Sequence, residues 1–146
     1  KTTLGSDGSG WDMIWAPAGG SLAPMNEERL AAKEHMIHLK GREVFKFAVS
    51  RMCGVIEELM EGESEPLSLV IPHQVNLRII RAAQERLGLP DDQIVVNIDR
   101  YGNTSAGSVP MALDEARRDD RLVAGELVAM CAFGAGLNWG GALLRW

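Results

Sequence analysis

His73 stands at the end of a short apolar run, Leu67 to Ile71, closed by Pro72, and a helical pattern begins three residues later. An imidazole at such a strand-to-helix junction has two readings. It is a hydrogen-bonded structural histidine, or it faces a cleft beside a helix N-terminus that lowers its pKa and serves in proton transfer or donation. Asn103, within Tyr101-Gly-Asn-Thr-Ser105, divides the same way. Either Gly-Asn makes a turn and Thr104 or Ser105 caps the next helix, or the Asn103 amide projects from a strand end to donate to a substrate carbonyl. Phe133-Gly-Ala-Gly136 is a third such place. It is a tight connection, or a backbone bare enough to offer N–H groups to a developing oxyanion.

A histidine, an asparagine and backbone donors describe an acyl-transfer site without its nucleophile. Cys53 falls mid-helix on an apolar face and Cys131 inside an apolar strand. Neither has a neighbouring cation or a helix N-terminus to stabilise a thiolate, so both read as inert core residues. His35 and His38 lie in a polar segment with no Cys, Asp or further His at ligand spacing. They read as surface or capping residues, and no metal site is expected.

The elements that must hold these groups follow from hydrophobic period. The spacing of Phe45, Ala48, Val49, Met52, Ile56 and Leu59 predicts a largely buried helix over 41–60. A second helix is predicted from Asn76 to Leu87, with Gly88 as left-handed cap and Pro90 beyond it. A third runs from Ser105 to Arg118, interrupted in its first turns or kinked by Pro110. Strands are expected at 11–15, 67–71, 94–98, 127–133 and 139–144. The run Gly5 to Gly10 reads as loop, and Pro17, Gly19, Gly20 and Pro24 exclude regular structure up to Asn26. Alternation of strands and helices predicts an α/β layered fold with ligands at the carboxyl ends of its strands.

Composition bounds the function. With 146 residues, 46% hydrophobic and 24% charged, the chain can bury a sizeable core and is not disordered. Its net charge of −5 argues against general nucleic-acid affinity, and two cysteines suit a reducing cytoplasm. The uncharged stretch 127–144 carries Gly134, Gly136, Gly140, Gly141 and Asn138, so two strands around a glycine turn are expected, not a membrane span. No basic region with an apolar block opens the chain, and no signal peptide is expected. It begins at Lys1, in a loop-like run, which leads to the expectation that it is a piece of something longer.

Three motifs taken together, Pro72-His-Gln-Val-Asn-Leu-Arg78, Asn97-Ile-Asp-Arg-Tyr-Gly-Asn-Thr-Ser105 and Phe133-Gly-Ala-Gly-Leu-Asn-Trp-Gly140, carry a resemblance. The chain resembles the carboxyl-terminal half of β-ketoacyl-acyl carrier protein synthase III, the condensing enzyme that initiates bacterial type II fatty acid synthesis. The likeness runs from Leu4-Gly-Ser-Asp-Gly8 through Gly41-Arg-Glu-Val-Phe-Lys46 to Ala142-Leu-Leu-Arg-Trp146, with Val75 and Asn138 as mild departures where alanine and threonine are common.

The resemblance implies one half of a thiolase-like fold, a mixed sheet with helices packed on it, so that 1–146 is the C-terminal domain. It implies His73 and Asn103 as catalytic residues and the Ala135 backbone N–H as an oxyanion-hole donor, with the nucleophilic Cys in an absent N-terminal half. Gly41, Phe45, Asn76 and Phe133 would line the coenzyme A pantetheine tunnel. Gln74, Val75, Asn76, Leu77, Arg78, Lys46 and Arg81 would meet acyl carrier protein. An independent charge reading agrees: Lys33 to Arg51 carries Lys33, Lys40, Arg42, Lys46 and Arg51 against Glu34 and Glu43, a basic stretch suited to steering an acidic partner, unless it is a plain solvated helix face. The substrates implied are acyl-CoA and malonyl-acyl carrier protein, with no covalently bound cofactor, in a cytoplasmic homodimer. Two other readings are a related thiolase-fold acyltransferase of secondary metabolism and a non-catalytic carrier-protein-binding or dimerisation domain. His73 together with Asn103 argues against the last, since a pure binding module needs neither.

Overall fold

In the computed structural model, which describes residues 1–146, alternate residues of two neighbouring strands point to opposite sides of a sheet, and helices cover both sides. The elements in chain order are strands β1 (Thr2–Ser6) and β2 (Ile14–Trp15), helix α1 (Glu27–Ala31), strand β3 (His38–Leu39), helix α2 (Gly41–Met60) and strand β4 (Leu67–Pro72). Helices α3 (Leu77–Leu87), α4 (Ile98–Tyr101) and α5 (Ser108–Arg118) follow, then strands β5 (Leu127–Gly134) and β6 (Asn138–Arg145). The main sheet has the order β1-β6-β5-β4; β4 and β5 run parallel, the other pairs antiparallel.

Along β5, Leu127, Ala129, Cys131 and Phe133 join the core under α2 and α3, whereas Val128 faces Ala112 and Ala116 of α5. Val70 of β4 belongs to the first core, Leu69 and Ile71 to the second. A parallel pair buried on both faces reads as a near-continuous apolar run, as these strands do apart from Ser68, whose hydroxyl donates to Leu127 O. Helix α2 buries Ala48, Met52, Val55, Ile56 and Leu59 and lies so close to β6 that a Cβ at Gly141 would collide with Val55 Cγ1. Only glycine fits beneath it. Helix α3 starts where Asn76 Oδ1 accepts the Arg78 N–H at 2.9 Å and ends at Gly88, whose φ of 66° is left-handed as expected.

Four expectations are corrected. Residues 2–6, including Gly5 and Ser6 from the expected loop, form edge strand β1, because β6 offers them a ladder. The strand at 11–15 shrinks to Ile14–Trp15, paired with His38–Leu39 in a separate ribbon. The strand at 94–98 is absent. Ile94 and Val95 are buried and Val95 donates to Val70 O at 2.9 Å, but Gln74 and Arg121 side chains take the Ile94 and Val95 carbonyls and the Asn97 and Ile98 N–H groups, and Ile98 begins α4. The third helix starts at Ser108, after a separate 3₁₀ turn at Ser105–Gly107, and neither Thr104 nor Ser105 caps it with a side chain. Pro110 is the third residue of α5, where its missing N–H is not needed. No helix is long and apolar enough to cross a membrane.

The close approach at Gly141 gives a paired test. Gly141→Val should cost about 1–3 kcal/mol by overpacking. Gly54→Ala, mid-α2 with nothing within 4 Å of the new Cβ, should stabilise by about 0.5–1 kcal/mol. Denaturant midpoints of the two variants, shifting in opposite directions, are the check.

Candidate active site

Because β4 and β5 are parallel, their carboxyl ends lie at the same edge of the sheet, and the chain leaving each enters one cavity of about 680 Å³. His73 follows β4 directly. Its backbone N–H donates to Cys131 O at 2.7 Å, which seats it against the neighbouring strand. The residue is 8% exposed, and its ring stands edge-on to Phe133 at 5.7 Å between centroids, with Nδ1 2.6 Å from Ser108 Oγ. Nε2 makes no hydrogen bond within the chain. Burial depresses the imidazole pKa below its ordinary 6.5, so the ring is held neutral.

Asn103 enters the cavity wall from the loop after α4. Its Oδ1 accepts the Ser105 N–H at 2.9 Å, which orients the carboxamide and leaves the amide N–H groups free to donate. From the end of β5, Phe133, Gly134 and Ala135 complete this side. The Ala135 N–H has no acceptor in the chain, while its carbonyl accepts Asn138 Nδ2 at 2.7 Å. Gly136, at φ 129°, lies so close to that amide that a side chain there would collide with it. The Asn138 amide thus bridges the turn that presents Ala135.

The expected tunnel residues Gly41, Phe45, Asn76 and Phe133 all line the cavity, as does Val75. Ile14, Ile37 and Leu39, which the sequence did not single out, wall it from the β2–β3 ribbon side. The cysteines lie elsewhere. Both are buried, and burial raises the Cys53 thiol and pushes Cys131 up to about 12, so neither is a thiolate nucleophile. No group of three His, Cys, Asp or Glu side chains could hold a metal ion.

Residues 61–146 match the family described as 3-oxoacyl-[acyl-carrier-protein] synthase III C terminal. The chain belongs to the 3-oxoacyl-acyl carrier protein synthase III family. It is 49% identical over 147 residues to the β-ketoacyl-acyl carrier protein synthase III of Desulfotalea psychrophila, covering 98% of this chain and 45% of that protein. It is 44% identical over 146 residues to the enzyme of the same name from Caldanaerobacter subterraneus subsp. tengcongensis, covering 98% and 44%. The solved β-ketoacyl-acyl carrier protein synthase III of Thermus thermophilus superposes with a TM-score of 0.83 at 41% identity, over 99% of this chain and 45% of that one. The fold is the thiolase-like fold of that family, and the chain spans a little under half the length of the relatives it matches.

One synthase III expectation fails on the structure. Gln74 cannot meet a partner protein: it is 1% exposed, and its carboxamide is fully used inside the chain. Nε2 donates to Pro72 O and Val95 O, each at 3.0 Å, and Oε1 accepts from Asn97 N at 2.9 Å and Ile98 N at 3.2 Å. Leu77, Arg78, Lys46 and Arg81 are exposed outside the cavity. Arg81 pairs with Asp91 at 2.7 Å, Lys40 with Asp12, and Arg51 lies over the Trp139 ring at 4.0 Å. Arg42 and Lys46 on α2 and Arg78 on α3 form no ion pair.

Two residues of consequence escaped the sequence reading. Ser108 touches His73, and Glu115 accepts from Asn97 Nδ2, Arg100 Nη2 and Tyr101 Oη, clamping the helical turn that precedes Asn103. The Tyr101 hydrogen bond first, then those of its other partners, holds the Glu115 carboxyl below its ordinary value. Their only signal was position on a helix that the sequence did predict.

The neutral histidine has a consequence for stability. Its pKa is depressed in the fold and ordinary in the unfolded chain, so below about 6.5 the unfolded chain binds the extra proton. Stability should therefore fall as pH drops from 7 to 5. The Glu65, Asp91 and Glu115 carboxyls, held below their ordinary values, lose their contributions only at lower pH. Denaturant midpoints across that range should slope in the wild type, and His73→Gln should flatten the slope.

Proposed function

We propose that residues 1–146 are the C-terminal domain of a condensing enzyme that joins an acyl group from acyl-CoA, typically acetyl-CoA, to malonyl-acyl carrier protein, giving 3-oxoacyl-acyl carrier protein and CO₂ in the initiation of type II fatty acid synthesis. The observation that carries this reading is the meeting in one cavity of His73, with Nε2 free, and Asn103, with its amide N–H groups free.

The nucleophilic Cys comes from the N-terminal half of the same protein and takes the acyl group from coenzyme A. The Ala135 N–H, free of any acceptor in the chain, receives the thioester oxygen in that step. Malonyl-acyl carrier protein then enters past Gly41, Phe45, Asn76 and Phe133. Loss of CO₂ puts negative charge on the malonyl thioester oxygen, and His73 and Asn103 donate to it together. Oriented donors that act on charge developing in a transition state are worth roughly 3–4 kcal/mol each. The resulting carbanion attacks the acyl-enzyme, and the Cys leaves as thiolate. The reaction needs no bound cofactor.

Carrier protein docks on the exposed basic groups beside the cavity, Lys46 and Arg78, with Arg81, Val75, Asn76 and Leu77 around them. Gln74 is excluded from this set by its burial. Arg81, paired with Asp91, contributes least. The complete protein works as a homodimer in the cytoplasm, as the family resemblance implies.

In the full-length enzyme, His73→Ala should lower decarboxylation of malonyl-acyl carrier protein by about 10²–10³-fold and leave transfer from acetyl-CoA to the Cys largely intact. An unchanged decarboxylation rate would remove His73 from its role. Arg78→Glu should raise the Kd for acyl carrier protein without slowing that transfer, with the effect shrinking as salt rises. Equal loss of docking and transfer would overturn the docking assignment.

A further inference from the structure

The imidazole of His73 can place its single neutral-state proton on either nitrogen, and only one choice lets it donate into the cavity. The partner of the other nitrogen decides. Ser108 Oγ lies 2.6 Å from His73 Nδ1, and the same oxygen accepts the backbone N–H of Gln74 at 3.1 Å. Ser108 is 2% exposed, so its hydroxyl proton cannot turn to water and must find an acceptor within the chain. A serine in a first helical turn can bond back to the carbonyl four residues earlier. Here that carbonyl, Thr104 O, accepts the Gly107 N–H at 3.0 Å and makes no bond to the Ser108 side chain. Ser105 O, three residues earlier, accepts the Ser108 backbone N–H and likewise takes no bond from its side chain; the acceptor that the hydroxyl meets is Nδ1.

We propose that Ser108 is a positioning residue: its O–H donates to His73 Nδ1 and so keeps the ring proton on Nε2, aimed at the cavity. The opposite tautomer would point Nδ1–H at an oxygen already accepting from Gln74 and leave the hydroxyl proton without a partner. It would also set a proton against the first turn of α5, which Ser108 opens and whose N-terminal end carries partial positive charge. The Gln74 N–H thus acts at one remove. By filling one lone pair of Ser108 it turns the hydroxyl proton toward the histidine. This role rests on the reading of His73 as a donor to the malonyl thioester oxygen, but the proton's location does not.

The test uses the full-length enzyme with ¹⁵N-labelled histidine, the His73 signals being assigned by their loss in His73→Gln. In the wild type at pH 7.5, long-range ¹H–¹⁵N spectra should show Nδ1 as the unprotonated and Nε2 as the protonated ring nitrogen. Ser108→Ala should reverse or average that pattern and lower kcat for malonyl decarboxylation about tenfold, the smaller end of what removing an orienting partner of a working histidine does. Ser108→Thr, which keeps the hydroxyl, should retain both the pattern and most of the rate. A proton on Nδ1 in the wild type, or an unchanged pattern in Ser108→Ala, overturns the proposal. So does a Ser108→Thr enzyme that loses rate like the alanine variant while its Nδ1 stays unprotonated, since that marks a purely structural serine. If His73→Ala leaves decarboxylation intact, the catalytic reading fails by itself, and the spectra still decide the tautomer.

Discussion

A single buried carboxamide holds the two halves of the site together. Gln74 follows His73 in the chain, and its side chain meets all four of its hydrogen-bonding requirements across two segments distant in sequence. On one side it donates to Pro72 O, at the end of β4. On the other it donates to Val95 O and accepts from Asn97 and Ile98, at the start of the turn that leads to Asn103. Its backbone N–H reaches a third segment, the first residue of α5. Truncating it would leave several buried backbone groups unpaired, at about 1–3 kcal/mol each. Its bonds set where His73 and the turn leading to Asn103 stand relative to one another.

The sheet supplies the frame for that arrangement. Parallel pairing of β4 with β5 puts two carboxyl ends side by side, so that His73 and Ala135 emerge at one edge although 62 positions separate their numbers in the chain. Helix α2 packs on β5 and β6, through the space left at Gly141 of β6, and its first turn, with Gly41, Val44 and Phe45, lines the cavity. One rigid layer therefore both builds the core and shapes the cavity.

The electrostatics fit a site that donates hydrogen bonds and does not itself supply a nucleophile. The histidine is kept neutral by burial, and the thiols are kept protonated by the same cause. Charge is confined to the rim. The chain is acidic overall, yet Arg42, Lys46 and Arg78 stand unpaired on α2 and α3, the two helices whose first turns border the cavity. That contrast survives although the basic segment read from the sequence loses Lys40 to an ion pair and Arg51 to a tryptophan face.

Local patterns of short range were legible in the residues alone. The period of α2, the Asn76 and Gly88 ends of α3, the continuous apolar runs of β4 and β5 and the glycine turn before β6 depend on neighbours within a few positions, and each formed where it was expected to within a residue or two. The sequence motifs also pointed to His73, Asn103 and Ala135, and the structure brings all three to the wall of one cavity. What the residues alone misassigned depends on partners far away. Thr2–Ser6 becomes a strand only because β6 arrives beside it, and Ile94–Ile98 fails to become one because Gln74 and Arg121 intercept its backbone groups. Gln74 itself passes for a surface residue until its contacts, 21 to 24 positions off, are in place. Ser108, 35 positions from His73, carries no mark of its role in the sequence. Hydrogen bonds between distant segments have no period to betray them, and only the closed tertiary structure decides which polar groups meet.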